Sequence, residues 1–199
     1  MKSFLIIPMG GSGTRFVDKG YKTYKAFLPV DKNINIFEGI ISNFKKLDIE
    51  IIIIANFKTL NNRYNKYLKK NNHHLIDIKS HKKGPVYSLF LAQKKLREII
   101  KDNEQIFISY TDINWSWNIN HVNRFVKNKK IVIFTHENFH PHLEINSKSD
   151  FCTTRKNLIK NISEKKTISK DYKKDQLAIG CYYINDYKLI ENFFFKSKL

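Results

Sequence analysis

The chain has 199 residues, 42% hydrophobic and 14% aromatic, which suits one folded domain and excludes a disordered chain or two large domains. Against 18 Asp and Glu stand 36 Lys and Arg, giving a formal charge of +18, a field that draws anions such as phosphorylated small molecules, acidic lipid or nucleic acid. No apolar run reaches membrane-spanning length, and the two cysteines, Cys152 and Cys181, lack metal-ligand spacing, so a reduced, cytoplasmic chain is expected.

Residues 4–9 are apolar and β-branched and run into glycines, which predicts a first strand followed by a polar, Gly-rich loop over residues 10–24. Phe37, Ile40, Ile41, Phe44 and Leu47 fall at helical spacing. The unbroken run Ile51-Ile52-Ile53-Ile54-Ala55 predicts a strand buried on both faces. Phe57, Leu60, Tyr64 and Tyr67 predict a second helix, and residues 75–78 a short strand. Gly84-Pro85 opens a third helix with Leu89, Ala92, Leu96 and Ile99 on one face. Residues 106–110 read as a strand ending at Thr111-Asp112, Ile119, Val122 and Val126 as a helix, and residues 131–134 as a strand. Strand and helix alternate throughout, the pattern of a doubly wound, mostly parallel α/β sheet. Beyond His136 the pattern changes to short β-like pieces at 143–145, 151–154, 158–163 and 177–184, with a helix over 187–195.

In doubly wound sheets ligands bind beyond the carboxyl ends of the strands, and three features fall there. The first is the loop after strand one, Met9-Gly10-Gly11-Ser12-Gly13-Thr14-Arg15-Phe16. Its glycines let the backbone approach a phosphate and aim N–H groups at it, Arg15 adds a planar charged fork, and Lys25 follows. The loop lacks the closing Gly-Lys-Ser/Thr of a Walker A and the third small residue of a dinucleotide fingerprint. The second is Asp112, a carboxylate placed to hold Mg²⁺ against phosphate oxygens, or else a turn cap. The third is Gly84-Pro85-Val86-Tyr87-Ser88, where a helix N-terminus presents free N–H groups to a base edge or phosphate.

The loop and the following Lys25-Ala26-Phe27-Leu28-Pro29-Val30 resemble the signature of the sugar-phosphate nucleotidyltransferase family, which includes NDP-sugar pyrophosphorylases and cytidylyltransferase-like enzymes. The resemblance continues in order through residues 84–88, Asp112, residues 162–169 around Glu164-Lys165, and Ala178-Ile179-Gly180-Cys181-Tyr182-Tyr183, covering about residues 3 to 190. It implies a Rossmann-like, GT-A-like nucleotidyltransferase fold with a small mixed C-terminal substrate lobe. Residues 1–199 then form a single domain, 1–135 binding nucleotide and 136–199 forming the lobe, whose completeness at the C-terminal end is left open. It implies Met9, Gly10, Gly11, Ser12, Gly13, Thr14, Arg15, Gly84, Pro85 and Ser88 as nucleotide-binding residues. Arg15 and Lys25 would be catalytic, Asp112 the Mg²⁺ ligand, and Glu164, Lys165 and Gly180 substrate-binding. The expected partners are a nucleoside triphosphate and a phosphorylated small molecule, without a membrane. A homo-oligomer is left open. CTP is slightly favoured as nucleotide and a sugar 1-phosphate as acceptor, for surface polysaccharide (capsule or lipooligosaccharide) biosynthesis.

Three departures from the family pattern stand out. Tyr24 stands where a proline usually precedes the lysine, Pro85-Val86-Tyr87 replaces a commoner Thr-Ala turn, and Asp186 is the nearest counterpart of a second acidic metal ligand before the chain stops at Leu199. Two further classes compete: a basic nucleic-acid-binding protein and a catalytically impaired nucleotide binder. The basic residues stripe no helix, and Trp115 and Trp117, following Asp112, are expected to wall the active site rather than to stack on bases. His136, His140 and His142 lack a carboxylate or Cys at zinc-site spacing and are expected in a loop near the substrate lobe.

Overall fold

The structure, a computed structural model, describes residues 2–11, 18–60, 62–111, 114–137, 150–169 and 174–197. The chain divides into two compact units, Met1–Val132 with Tyr182–Leu199, and Ile133–Cys181.

The first unit is built on parallel strands. β1 (Ser3–Met9) lies between β4 (Ile49–Ala55) and β6 (Gln105–Ser109), and β4 pairs in turn with β5 (His74–Asp77). The isoleucine run is the reason β4 sits inside: Ile52, Ile53, Ile54 and Ala55 are fully buried. Only helices on both faces can achieve that. On one face Phe4, Ile6, Ile52, Ile54, Ile76, Ile106 and Ile108 pack with Leu89, Ala92 and Leu96 of α3 (Pro85–Ile99) and with Tyr187, Ile190 and Phe194 of α5 (Tyr187–Ser197). The alternate strand residue Phe107 points the other way and meets Phe44 at 5.2 Å between ring centres. On that side Phe37 of α1 (Ile36–Ser42) sits edge-on to Tyr67 of α2 (Asn62–Lys70) at 6.4 Å. Phe27 stacks on Tyr64 at 4.0 Å, with 3° between the rings. These are the two helical layers of a doubly wound sheet.

Two expected helices differ from their apolar spacing. The helix expected to run to Leu47 ends at Ser42. Ser42 Oγ and Asn43 Nδ2 both donate to the carbonyl of Gly39, and Phe44 N–H reaches only Ile41, so side chains take over helix carbonyls and the backbone tightens into turns. The second helix starts at Asn62 rather than near Phe57, because Asn56 turns the chain first: its side chain accepts from Lys58 N–H at 3.0 Å and its carbonyl from Thr59 N–H at 3.2 Å. A small hairpin, β2 (Pro29–Asp31) with β3 (Ile34–Asn35), was not foreseen. It leads into the Asn35–Glu38 capping box that starts α1. α4 (Ile119–Val126) forms where its apolar spacing predicts, with Asn118 as its cap.

The second unit is antiparallel. β8 (Asp150–Arg155) pairs with β9 (Leu158–Glu164) and with the start of β10 (Gln176–Ile184), and β7 (Ile131–His136) also pairs with β10. The turn between β8 and β9 places Lys156 and Asn157 in the left-handed region. Cys152 and Cys181 are both buried here, and burial pushes the Cys152 thiol up, with Asp175 adding to the effect. Asp175 is itself buried and receives Ile168 N–H at 2.7 Å and Ser169 N–H at 3.0 Å. Burial alone would raise its pKa, but the Ser169 hydroxyl and these two amides outweigh it and hold the carboxyl below its ordinary value. Among the described residues, no helix is long and apolar enough to cross a membrane.

Candidate functional site

The glycine segment begins where β1 ends. Met9 and Gly10 are buried and Gly11 is exposed. Of the candidate glycines, Gly10, Gly11 and Gly84 are glycines for different physical reasons. A Cβ on Gly10 would lie 2.4 Å from Ile78 Cδ1 and 2.7 Å from Ser88 Oγ, so this position is closed by packing. A Cβ on Gly84 would meet nothing within 4 Å, but its φ of +82° is left-handed and suits glycine. Gly11 has neither constraint among the described residues: nothing lies within 4 Å of a Cβ there, and its φ is not positive. The described residues thus leave the backbone at Gly11 uncovered on that side.

Two side chains fix the start of this segment. The Tyr24 hydroxyl donates to the carbonyl of Met9, with the carbonyl of Gly11 at 3.2 Å as a second acceptor. Burial pushes the Tyr24 phenol up to about 12, so it keeps its proton across the physiological range. On the other side His81 N–H donates to Gly10 O at 3.4 Å, and Gly11 and His81 form a parallel bridge. The His81 ring accepts from Lys83 N–H at Nδ1, 3.3 Å away, which leaves its proton on Nε2 for the 2.9 Å bond to Ser88 Oγ. Burial, and secondarily the charge of Lys83, lowers its pKa, in keeping with a neutral ring.

Ser88 is buried in the first turn of α3. Gly84 is the N-cap and makes no side-chain cap bond, and Pro85 occupies the first turn. The first-turn amides of α3 thus have no capping side chain, as an anion site at a helix start requires. Lys83 Nζ lies over the Tyr87 ring at 4.6 Å, and Tyr87 is edge-on to His81 at 5.0 Å. Lys25 opens a short 3-10 helix (Lys25–Phe27) directly after Tyr24 and is half-buried.

The structure therefore brings together Met9, Gly10, Gly11 and Ser88, with Gly84 and Pro85 one turn away on α3 and Lys25 next to the Tyr24 clasp. Ser12, Gly13, Thr14, Arg15 and Asp112 lie outside the described residues. In the second unit, Glu164 ends β9 and pairs with its neighbour Lys165, both largely exposed, with Lys165 at φ 58°. Gly180 lies within β10 at φ 69°. Tyr24 and His81 were missed as site residues. The signal for Tyr24 was present, since it stands where the family pattern has a proline. Nothing in the sequence singles out His81 from the neighbouring lysines.

Trp115 and Trp117 pack against Phe44, and Asp112, whose site they are expected to wall, lies outside the described residues. Their rings lie 4.3 Å apart and edge-on to Phe44, and Trp117 Nε1 donates to Asn43 O at 3.0 Å while Asn43 Nδ2 donates to Trp115 O at 2.6 Å. They cover the end of α1, where the apolar side of Phe44 offers burial. Asp186 accepts from Lys188 N–H at 2.9 Å and Asn103 N–H at 3.3 Å, the position of a turn cap. His136 is exposed at the end of β7, and His140 and His142 lie outside the described residues. Among the described residues no three His, Cys, Asp or Glu side chains converge as a metal site. Mg²⁺ on a nucleotide needs only one or two carboxylates beside the phosphates.

No protein-family model matches the chain, and no curated protein matches it in sequence. Solved structures do match in fold. One is the nucleoside-diphosphate-sugar pyrophosphorylase from Vibrio cholerae RC9, with TM-score 0.70 and 14% identity, over 97% of this chain and 78% of that one. Another is the UTP-bound UGPase from Acinetobacter baumannii, with TM-score 0.63 and 14% identity, over 96% of this chain and 76% of that one. The chain thus has the mixed α/β fold, with a mostly parallel sheet and five α-helices among the described residues, in which these two pyrophosphorylase structures are built.

Proposed function

We propose that the chain is a nucleotidyltransferase that joins a nucleoside triphosphate to a phosphorylated small molecule and releases pyrophosphate. The observation that carries this reading is the glycine segment at the carboxyl end of β1. It is braced by Tyr24 and His81, lies against the uncapped start of α3, and is open at Gly11. This is where an open α/β sheet binds ligands, and the likeness of fold to two nucleotide-handling enzymes adds to it. The first unit takes the nucleotide, within residues 1–135, and Glu164, Lys165 and Gly180 serve the acceptor, within 136–199.

In the proposed reaction a phosphate oxygen of the acceptor attacks the α-phosphorus of the triphosphate. The bond from the α-phosphorus to the bridging oxygen breaks, and pyrophosphate leaves with that electron pair. A phosphate is already a competent nucleophile, so the protein's work is alignment and charge neutralisation. Amides of the glycine segment and of the first turn of α3 would hold the nucleotide. Arg15 would neutralise the departing phosphates, and Lys25 the charge growing at the α-phosphate. Asp112 would hold a Mg²⁺ ion, which supplies Lewis-acid neutralisation when bound. The proposed acceptor is a sugar 1-phosphate, the nucleotide CTP, the setting cytoplasmic, and the product a precursor of surface polysaccharide.

The test is pyrophosphate release over CTP, UTP, ATP, GTP and dTTP, each with a panel of sugar 1-phosphates and phosphoalcohols in Mg²⁺. Release with one pair is expected, and CTP should lead. Silence across the panel would overturn the reading.

A further inference from the structure

Within the nucleotidyltransferase reading, we propose that His81 is a positioning residue: its neutral ring sets how tightly the nucleotide is held and takes no part in the transfer itself. His81 joins three elements. Its main-chain N–H donates to Gly10 O, where β1 ends. Its ring Nδ1 accepts from Lys83 N–H, in the turn that leads to Gly84. Its Nε2 meets Ser88 Oγ at 2.9 Å, in the first turn of α3. The Nε2 end also lies against the glycine segment: a Cβ built on Gly10 would stand 3.0 Å from it and 2.7 Å from Ser88 Oγ. One ring thus ties together the elements whose amides are proposed to hold the nucleotide.

The residue type fits this task. The Lys83 amide asks for an acceptor at one ring nitrogen, and Ser88 takes a proton from the other. A neutral imidazole supplies both from one rigid ring. The nearby side chains of Lys79, Lys82 and Lys83 carry donors only, so none of them can replace it. Protonation would remove the acceptor at Nδ1. Burial first, and the charge of Lys83 second, hold the His81 pKa below its ordinary value, which keeps the ring neutral. Tyr87 of α3 stands edge-on to the ring at 5.0 Å.

Both ring nitrogens are committed within the protein, so neither is free to take a proton from a ligand, and a phosphate nucleophile asks for no base. The effect of His81 therefore falls on binding rather than on the chemical step. Of its two ring bonds, the one to Ser88 carries more weight. Ser88 is 1% exposed, so its hydroxyl has little water to turn to when the ring is lost. The start of α3 would then lose its tie to Gly10. Its amides and those of the glycine segment would no longer be held in one arrangement for the same ligand.

The experiment is calorimetric titration of the full chain with CTP, UTP, ATP, GTP and dTTP, beside pyrophosphate-release kinetics with the nucleotide varied. His81→Phe keeps a ring beside Tyr87 and removes both ring bonds; it should raise Kd and KM about tenfold and leave kcat unchanged. His81→Gln carries an N–H to the place of Nε2 and should recover most of the loss. His81→Asn keeps an acceptor near the place of Nδ1, falls short of Ser88, and should stay weak. Ser88→Ala reaches the same bond from the other side, so it tests the pair even where His81→Phe fails to fold. Combined with His81→Phe it should weaken binding no further than either substitution alone. A Gln variant as weak as Phe, a double variant equal to the sum of its parts, or a fall in kcat at constant KM would each overturn the proposal. Nucleotide binding that follows this pattern without pyrophosphate release would retain it and remove the enzymatic reading. Release with Kd and KM indifferent to these substitutions would do the reverse, and a wild type that binds none of the nucleotides would remove both.

Discussion

The hydroxyl of Tyr24 donates to the main-chain carbonyl of Met9, fifteen residues away, at the point where β1 gives way to the glycine segment. A hydroxyl has one proton, so the carbonyl of Gly11 at 3.2 Å shares it rather than gaining a bond of its own. Where a proline would stiffen the approach to Lys25 through its own ring, this chain ties the approach to the loop itself. Tyr24→Phe removes the tie and keeps the contact with Phe27. It should cost about 1 kcal/mol of stability and, on the proposed function, about tenfold in kcat/KM. Thermal melting and pyrophosphate release measure the two. Unchanged turnover would mean that the glycine segment keeps its shape without the clasp.

Gly10 and Gly11 should respond to alanine in opposite ways. At Gly10 the new methyl meets Ile78 and Ser88 inside van der Waals contact, and the expected loss is about 1–3 kcal/mol. At Gly11 nothing lies within 4 Å, so the melting temperature should hold while nucleotide affinity falls. Paired melting curves and nucleotide titrations separate the cases. A Gly11→Ala protein that binds nucleotide normally would show that no ligand approaches there.

Asp112→Asn is the sharpest test of the chemistry. It should leave the circular dichroism spectrum unchanged and abolish pyrophosphate release in Mg²⁺. Near wild-type turnover would remove Asp112 from the reaction.

Asp175 makes the second unit acid-sensitive. Its folded pKa is depressed below the ordinary value of 3.8, so the carboxylate contributes stability in full above that value. The contribution is lost as pH falls through the lower, folded pKa. Asp175→Ala should cost about 1–3 kcal/mol at neutral pH, because it leaves the Ile168 and Ser169 amides without their acceptor. Its stability should then converge on the wild type in strong acid. Denaturant melts at neutral and acid pH would show a gap that closes, and a constant gap would mean that the carboxylate's charge is irrelevant.

Much of this was legible because burial writes periodic patterns. The isoleucines of β4 and the Leu89, Ala92, Leu96 spacing of α3 report what they pack against, and both elements form where the pattern puts them. In the second unit the pieces expected at 151–154, 158–163 and 177–184 fall on β8, β9 and β10, although β9 is largely exposed, and the piece expected at 143–145 lies outside the described residues. The early end of α1 was hidden, because it depends on Ser42 and Asn43 competing for one carbonyl while the apolar spacing runs on to Leu47. In the site, the glycines and Ser88 could be read, since their residue types carry the chemistry. Tyr24 was visible as a departure from the family's proline, but the bracing by Tyr24 and His81 was not, because it joins residues far apart in sequence through hydrogen bonds to main-chain atoms. The packing of the tryptophans was hidden for a related reason: closeness to Asp112 in sequence says nothing of the burial that Phe44 provides.

The two thiols give the molecule a built-in reporter. Cys152 and Cys181 are the chain's two cysteines, both buried and both within Ile133–Cys181. A thiol reagent therefore has nothing to react with until that stretch opens, and the rate of labelling becomes a clock for the opening of one unit. Run with and without an acceptor, that clock would read whether the acceptor holds the second unit shut, with no dye, tag or added residue.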